Sequence, residues 1–198
     1  MDGAFKFLRP HWHNKEKHMH HLKPKRPALL IVDMQVGLFN GPEKPYERDR
    51  VLENINQLIR KARKAGAPIF AARHTGPQGS PIEPGSPLWQ LLTDLEVDVA
   101  MDTVFDKTKP SCFLGTGLAE RLVEADVSEL AIVGMKTQYC IDTTCRIAAE
   151  LGFKPVLVAD AHTCMDTPAL PAKAIIDHHN VTLNGPFVKL LNTTDFQF

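Results

Sequence analysis

The sequence predicts an α/β fold, a three-layer, doubly wound (Rossmann-like) and mostly parallel sheet of about six strands with helices on both faces. Short, nearly continuous apolar runs such as "PALLIVDM" are typical of strands buried on both faces. Segments with helical spacing of apolar residues lie between these runs. Because strand and helix alternate along the chain, we expect right-handed crossovers that join parallel strands.

The elements can be assigned in chain order from residue 27. The first strand is 27–34, with Asp33 at its carboxyl end. The segment 49–66 has one apolar helical face and ends at Gly66, a residue suited to the position after a helix. The remaining expected elements are strand 67–74, strand 101–107, helix 115–127, strand 128–135, a helix within 134–153, strand 154–161, helix 171–179 and a short sixth strand 181–185.

Composition narrows the classes of function. A chain of 198 residues suits one domain over 27–198, preceded by an N-terminal arm over 1–26. The formal net charge is zero, which predicts no nucleic-acid partner and no anionic membrane partner. No apolar run approaches the length of a membrane span, and the first residues do not resemble a signal peptide, so we expect a cytoplasmic protein. The four cysteines are expected to be reduced thiols.

The N-terminal arm is rich in histidine. It could be a solvated tail or could pack on a neighbouring subunit, and imidazoles at this density could also bind a divalent metal ion. The sequence leaves these alternatives open. The histidines are His11, His13, His18, His20 and His21.

Three chemical groups fall at the carboxyl ends of predicted strands. Asp33 ends the first strand, a lysine at 107 or 109 ends the third, and Cys140 follows the fourth where a helix begins. Each has an ordinary explanation as a turn former, a surface charge or a small core residue. Together they form the combination that a cysteine nucleophile requires, because parallel strands end at one edge. The helix start and the lysine predict a lowered thiol pKa.

Three motifs, in order, resemble those of the isochorismatase-like cysteine hydrolases, a family that includes nicotinamidases, N-carbamoylsarcosine amidase and ureidoacrylate amidases. "ALLIVDMQ" resembles the strand that ends in the catalytic aspartate. "KTKPSCFLGTGL" resembles the lysine motif, and "GMKTQYCIDTTCRIAAELGF" resembles the nucleophile segment. The resemblance extends from Pro27 to the C-terminus.

The resemblance implies a catalytic triad of Asp33, Lys107 and Cys140. It assigns Lys109 to the surface and Cys145 to packing. It also implies a cis peptide bond at Met135-Lys136, with the backbone amides of Lys136 and Cys140 as an oxyanion hole. The implied reaction is acyl transfer, with a thioester acyl-enzyme that water hydrolyses.

The metal site of nicotinamidases is not matched. That site has an Asp-x-His motif and a further histidine after the second strand, whereas His74 is alone in "ARHTGPQGSPIEPGSPLWQLL". We therefore expect no metal and no cofactor. The predicted activity is metal-independent hydrolysis of a carbon-nitrogen bond in a small-molecule amide or ureido substrate. The alternatives are isochorismatase-type activity, nicotinamidase activity, and a non-catalytic redox-sensing or binding module.

Aromatic residues in the surrounding loops are candidates for substrate contact. Phe39, His74, Trp89 and Tyr139 lie in or next to the loops that should surround the thiol. For Phe39 and Trp89, packing or a subunit contact explains the residue equally well. A dinucleotide site is not expected, since no G-x-G-x-x-G follows the first strand. The resemblance further implies a homodimer or homotetramer.

Overall fold

The structure, a computed structural model, describes residues 26–198, so most of the histidine-rich arm lies outside the described residues. The strands are β1 (Arg26–Val32), β2 (Ile69–His74), β3 (Thr103–Lys107), β4 (Val127–Met135), β5 (Lys154–Thr163) and β6 (Lys189–Leu191). The helices are α1 (Val36–Phe39), α2 (Arg48–Ala65), α3 (Leu118–Glu124), α4 (Asp142–Glu150) and α5 (Ala172–Leu183). A π-helical turn, Thr137–Ile141, joins β4 to α4.

The six strands form one parallel sheet in the order β3-β2-β1-β4-β5-β6. This confirms the predicted fold class. The chain proceeds from β1 to one edge and then returns to β4 on the other side of β1. The strand order therefore reverses between β1 and β4, which is where open α/β sheets place their ligands.

Two apolar cores cover the two faces of the sheet. Leu29 and Ile31 of β1 point to the face covered by α2, while Leu30 and Val32 point to the face covered by α3, α4 and α5. All four side chains are fully buried. Burying a leucine or isoleucine in this way contributes about 1.5–3 kcal/mol, so β1 is fixed from both sides.

The end of α2 follows its sequence signal. Gly66 has a φ of 67°, and its N–H donates to the carbonyl groups at the end of the helix. A left-handed conformation there is easily adopted by glycine and closes the helix. The chain can then enter β2 directly.

The predicted sixth strand is wrong. Residues 181–183 belong to α5, and β6 lies further on at Lys189–Leu191. Val181 and Thr182 are β-branched and favoured a strand locally. However, Leu183 is fully buried in the core beneath α5, so helix packing outweighs that local preference.

No helix within residues 26–198 combines the length and the apolar character needed to cross a membrane.

Candidate active site

The three predicted catalytic side chains meet at the carboxyl edge of the sheet. Asp33 follows β1, Lys107 is the last residue of β3, and Cys140 lies in the π-helical turn after β4. Asp33 has a φ of 55°, a left-handed conformation that aspartate tolerates better than most residues. Asp33 and Lys107 are 1% and 2% exposed, whereas Cys140 is partly exposed.

Lys107 is the centre of the cluster. Its Nζ lies 2.8 Å from Asp33 Oδ2 and 3.3 Å from Cys140 Sγ. It also donates to the Lys109 carbonyl at 3.2 Å and lies 3.3 Å from His74 Nδ1. The ammonium is thus held by four neighbours. The side chain of Lys109 itself is exposed, which matches its assignment to the surface.

The second oxygen of the carboxylate is free to act. Asp33 Oδ1 is buried and has no hydrogen-bond partner among residues 26–198. A carboxylate oxygen of Asp33, a ring nitrogen of His74 and Cys140 Sγ all lie within 4.8 Å of one another. The cluster therefore contains an unused acceptor close to the thiol.

The pKa shifts in the cluster have clear physical causes. Burial raises the pKa of Asp33 above its usual value, with Lys107 opposing that effect. For Lys107, burial acts to lower the pKa, but Asp33 and the neighbouring thiols outweigh it and the pKa is raised. Burial and Lys107 lower the pKa of His74. Lys107 and Asp33 lie 2.8 Å apart as a salt bridge, and the lowered pKa of His74 favours its neutral imidazole.

The expected lowering of the thiol pKa is wrong. Burial and the negative charge of Asp33 raise the pKa of Cys140 to about 12, and Lys107 only partly opposes them. Cys140 also lies in a π-helical turn rather than in the first turn of a regular α-helix. The resting residue is a thiol, so its activation requires a base.

The backbone before Cys140 has the geometry that the resemblance implied. The Met135-Lys136 peptide bond is cis. Just before it, Gly134 has a φ of 113°, and a Cβ added there would lie 2.1 Å from the Val32 carbonyl oxygen. Only glycine fits this close approach of β4 to β1. The Ile141 N–H donates to the Lys136 carbonyl at 3.3 Å, which closes the π-helical turn.

A cavity of about 240 Å³ opens onto the cluster. This volume is below the range of about 300–1,000 Å³ that is typical of drug-sized ligands, so the cavity suits a small molecule. Besides the charged groups of the cluster, the walls are mostly apolar. The lining residues are Asp33, Leu38, His74, Pro110, Lys136, Tyr139 and Cys140.

The four aromatic candidates separate into two pairs. His74 and Tyr139 line the cavity, and Tyr139 is 54% exposed. Phe39 is 1% exposed in the core, and the Arg48 guanidinium lies 4.5 Å from the centre of its ring. Phe39 packs and cannot contact a substrate in the cavity, so that prediction is corrected.

Trp89 is also a packing residue. Its ring is covered by Arg73 at 3.6 Å, and its indole N–H donates to Thr75 Oγ1 at 2.9 Å. It is 9% exposed and does not line the cavity. Packing, which the sequence left open as an alternative to substrate contact, therefore explains Trp89.

Gln35, which sequence reasoning missed, fixes the position of His74. The fully buried Gln35 side chain accepts from the His74 N–H at 2.7 Å. Its Nε2 donates to the carbonyl of His74 at 3.0 Å and to that of Trp89 at 2.8 Å. Gln35 therefore holds the end of β2 in place. The sequence signal that could have identified Gln35 is its position two residues after Asp33.

A second polar cluster behind Cys140 was also missed. Thr137 Oγ1 lies 2.9 Å from His162 Nδ1, and His162 Nε2 lies 2.8 Å from Asn180 Oδ1. Since an amide oxygen can only accept, His162 carries its proton on Nε2 and accepts from Thr137 on Nδ1. Burial lowers the pKa of His162 to about 4, so the ring is neutral.

Three side chains of the cluster are possible metal ligands. The side chains of Asp33, His74 and Cys140 could ligate an ion by their spacing. However, Lys107 Nζ contacts all three groups within 3.3 Å and already supplies a positive charge there. A divalent ion would have to displace this ammonium, which does not favour a metal at this position.

Comparisons with known proteins identify the family of this chain. The isochorismatase domain model matches residues 27–180. A streptothricin hydrolase from Streptomyces noursei is 38% identical over 144 residues, which are 73% of this chain and 52% of that protein. Nicotinamidase 3 from Arabidopsis thaliana is 29% identical over 150 residues, 69% of this chain and 73% of that protein.

One solved structure, of an isochorismatase family protein, superposes with a TM-score of 0.79 at 32% identity. It covers 84% of this chain and 98% of the other. The chain spans about half the length of the streptothricin hydrolase that it matches. From its domain, its fold and its relatives, the chain belongs to the isochorismatase family of hydrolases.

Proposed function

We propose that the protein is a metal-independent cysteine hydrolase that cleaves a carbon-nitrogen bond in a small amide or ureido substrate. The observation that carries this proposal is the meeting of Asp33, Lys107 and Cys140 next to a small cavity, which Asp33 and Cys140 line. A thiol, a base with a free oxygen and a fixed cation are the parts of an activated nucleophile.

In the first step, Cys140 attacks the substrate carbonyl carbon while Asp33 takes the thiol proton. The raised pKa of Asp33 makes it a stronger base than an exposed aspartate. Lys107 stabilises the carboxylate and the developing thiolate because its Nζ contacts both. The proton therefore moves only as the S–C bond forms.

The backbone N–H groups of Lys136 and Cys140 stabilise the negative charge that develops on the carbonyl oxygen. Asp33 then gives its proton to the departing nitrogen, and the C–N bond breaks. This leaves a thioester on Cys140 and a free amine or ammonia. Water adds to the thioester, which releases the acid and restores the thiol.

A substrate screen with mass detection tests this proposal. The protein is incubated with a panel of small amides and ureides that includes nicotinamide, and the release of ammonia or amine is measured. Intact mass should show an acyl adduct on Cys140 that hydroxylamine removes. An adduct on another residue, or turnover by Cys140→Ala, would contradict the mechanism.

The same experiment separates the alternatives. Isochorismatase-type cleavage of a vinyl ether would proceed without an acyl adduct on Cys140. A redox sensor would form reversible oxidation products of Cys140 but would leave every amide intact. A redox sensor does not require the Asp33–Lys107 pair that the structure contains.

We propose a homodimer or homotetramer in the cytoplasm, acting on a small molecule without a nucleic-acid or membrane partner. The absence of disulfides among the four cysteines, all within the described residues, fits a reducing compartment. Light scattering after gel filtration measures the assembly directly.

A further inference from the structure

We propose that His162 is a positioning residue for the nucleophile, and that through Thr137 it fixes the turn that carries Cys140. This inference rests on the proposed function and deepens it, because it names a residue that acts on the reaction without touching the substrate. Asn180 completes the chain of hydrogen bonds. None of the proposed catalytic steps uses these three side chains.

The π-helical turn that carries Cys140 has few contacts of its own to hold it. The N–H groups of Tyr139 and Ile141 both donate to one carbonyl, that of Lys136, at 3.1 and 3.3 Å. No side chain of residues 26–198 caps the turn. Turns of this kind are rare and occur frequently at functional sites. The position of Cys140 therefore depends on contacts that the turn makes with the rest of the fold.

Two buried side chains anchor the ends of the turn. Ile141, the last residue, is fully buried in an apolar core. Thr137, the first residue, is also fully buried, and its hydroxyl oxygen lies 2.9 Å from His162 Nδ1. Because the neutral His162 ring carries its proton on Nε2, the Thr137 hydroxyl is the donor in this contact. An apolar contact has no preferred direction, whereas a hydrogen bond does, so His162 sets the orientation of Thr137.

An irregularity in β5 brings His162 to this place. Leu157 pairs with Ile132 of β4, whereas His162 pairs with Gly134, so β5 has the longer path between these two pairs. Bulges of this kind often re-aim a side chain beside an active site. Here the extra residues of β5 place His162 next to Gly134, shortly before Thr137 in the chain.

The other side of the His162 ring is held by α5. His162 is 2% exposed, and its Nε2 donates to Asn180 Oδ1 at 2.8 Å. The helix that carries Asn180 is itself fixed by apolar packing, since Ile175 and Leu183 are buried. The ring therefore connects a packed helix to the first residue of the turn.

Thr137 lies between the two proposed oxyanion donors. The Lys136 N–H comes just before it, and the Cys140 N–H follows it within the same turn. A change in the orientation of Thr137 would move both N–H groups relative to the sulfur atom. Misplacing reacting groups by about 1 Å can cost on the order of 10²-fold in rate. Loss of the Thr137–His162 contact should therefore slow acyl transfer even where the fold is intact.

Two reagents separate this positioning role from the reactivity of the sulfur itself. p-Nitrophenyl acetate acylates Cys140, so that an S–C bond forms, the C–O bond to p-nitrophenolate breaks, and Asp33 takes the thiol proton. Iodoacetamide alkylates the same sulfur and releases iodide, but no oxyanion develops. The ratio of the acylation rate to the alkylation rate at Cys140, assigned by mass spectrometry, therefore reports the geometry around the carbonyl and cancels any change in the thiol pKa.

Thr137→Val replaces the hydroxyl with a methyl group of similar size, and His162→Leu removes the acceptor from the other side. We expect the ratio to fall about tenfold in both variants. Thr137→Ser keeps the hydroxyl, and His162→Gln keeps an acceptor and a donor, so both should stay within about twofold of the original ratio.

The matched control is Thr193→Val, outside the turn. Thr193 follows β6, is 1% exposed, and donates its hydroxyl to Asp160 Oδ1 at 2.8 Å. This substitution removes a buried hydrogen bond of similar length without affecting the turn. The ratio at Cys140 should therefore stay at its original value.

An unchanged ratio in Thr137→Val or His162→Leu would overturn the inference, as would an equal fall in Thr137→Ser or Thr193→Val. A failure of p-nitrophenyl acetate to acylate Cys140 in the original protein would also overturn it. If the ratio falls as expected but no amide is hydrolysed, the positioning role stands and the proposed hydrolase activity fails. If amides are hydrolysed through Cys140 but the ratio does not respond, the activity stands and the positioning role fails.

Discussion

Two buried polar clusters flank the turn that carries Cys140, and they differ in kind. The reactive cluster, defined as Asp33, Lys107, His74 and Cys140, contains an ion pair and opens onto the cavity. The support cluster, defined as Thr137, His162 and Asn180, is uncharged and lies behind the turn. Each cluster includes one side chain of the same five-residue turn, which is Cys140 in the reactive cluster and Thr137 in the support cluster.

The difference shows where this fold places charge. Burying an ion pair costs desolvation energy that the attraction only partly returns, so such a pair is a poor way to gain stability. In the proposed mechanism the reactive cluster retains this costly pair because Asp33 and Lys107 act on Cys140. In the support cluster, neutral hydrogen bonds position Thr137 without any buried charge.

Removing the nucleophile should have the largest effect and should act on the reactive cluster alone. We expect Cys140→Ser to reduce turnover of an identified amide on the order of 10⁴-fold or more, since the rest of the machinery cannot replace a thiol. Steady-state kinetics measures this change. Cys145→Ala is the control, because Cys145 is buried in α4 away from the cavity, and it should retain activity. Similar losses in both variants would indicate damage to α4 rather than loss of the nucleophile.

Breaking the Asp33–Lys107 ion pair should lower the free energy of unfolding, an effect with no counterpart in the uncharged support cluster. Lys107→Met leaves Asp33 buried without its partner, so we expect the free energy of unfolding to fall by about 3–5 kcal/mol in urea titrations. The double variant Lys107→Met/Asp33→Asn removes both charges and should recover most of this loss. A double variant that is no more stable than Lys107→Met would show that the pair does not act as a unit.

The effect of the support cluster should instead appear in the pH dependence of stability. Since the pKa of His162 is about 4 in the folded protein and about 6.5 in the unfolded chain, the unfolded chain binds more protons between these values. Stability is therefore complete above pH 6.5 and falls by about 3 kcal/mol as the pH drops to 4. Urea titrations at pH 7.5 and 4.5 measure this loss.

His162→Gln is the matched variant, because its amide can replace both hydrogen bonds but does not titrate. Its stability should change less between the two pH values than that of the original protein. Equal changes in both proteins would mean that His162 is not responsible for the loss in acid.

The smallest expected effect concerns Gln35, which connects the reactive cluster to β2. Gln35→Met leaves the His74 N–H and carbonyl without their side-chain partner, and we expect a cost of about 2 kcal/mol in unfolding free energy. Activity should fall about tenfold as His74 loses its fixed position. Gln57→Met on the outer side of α2 is the control and should be close to neutral. Equal effects of the two substitutions would contradict a positioning role for Gln35.

The sequence predicted those parts of the molecule that depend on local pattern. The buried strands, the helix that ends at Gly66, and the aspartate, lysine and cysteine at strand ends all follow from short segments. The π-helical turn was not predicted, because a single extra residue in one turn leaves no periodic signal. β6 was also missed, but for another reason. The β-branched residues of α5 favoured a strand at the wrong position.

The contacts that were missed join residues far apart in the chain. Gln35 meets His74 39 residues later, and Thr137 meets His162 25 residues later. The thiol pKa failed for a related reason, since it depends on the burial that the fold creates around Cys140 and not on its position before a helix. Such properties require the three-dimensional arrangement.

The rate of Cys140 alkylation by iodoacetamide against pH, in the original protein and in Asp33→Asn, tests the central claim that the resting Cys140 is a thiol whose pKa is raised in part by the charge of Asp33. Mass spectrometry assigns the label to each cysteine. The account predicts slow labelling at pH 7.5 in the original protein, because the thiol pKa is about 12, and faster labelling in Asp33→Asn, because the charge that helps to raise this pKa is gone. The same variant should have lost its hydrolase activity. Fast labelling of the original protein well below pH 8.5, with no increase in Asp33→Asn, would show a preformed thiolate and contradict the account.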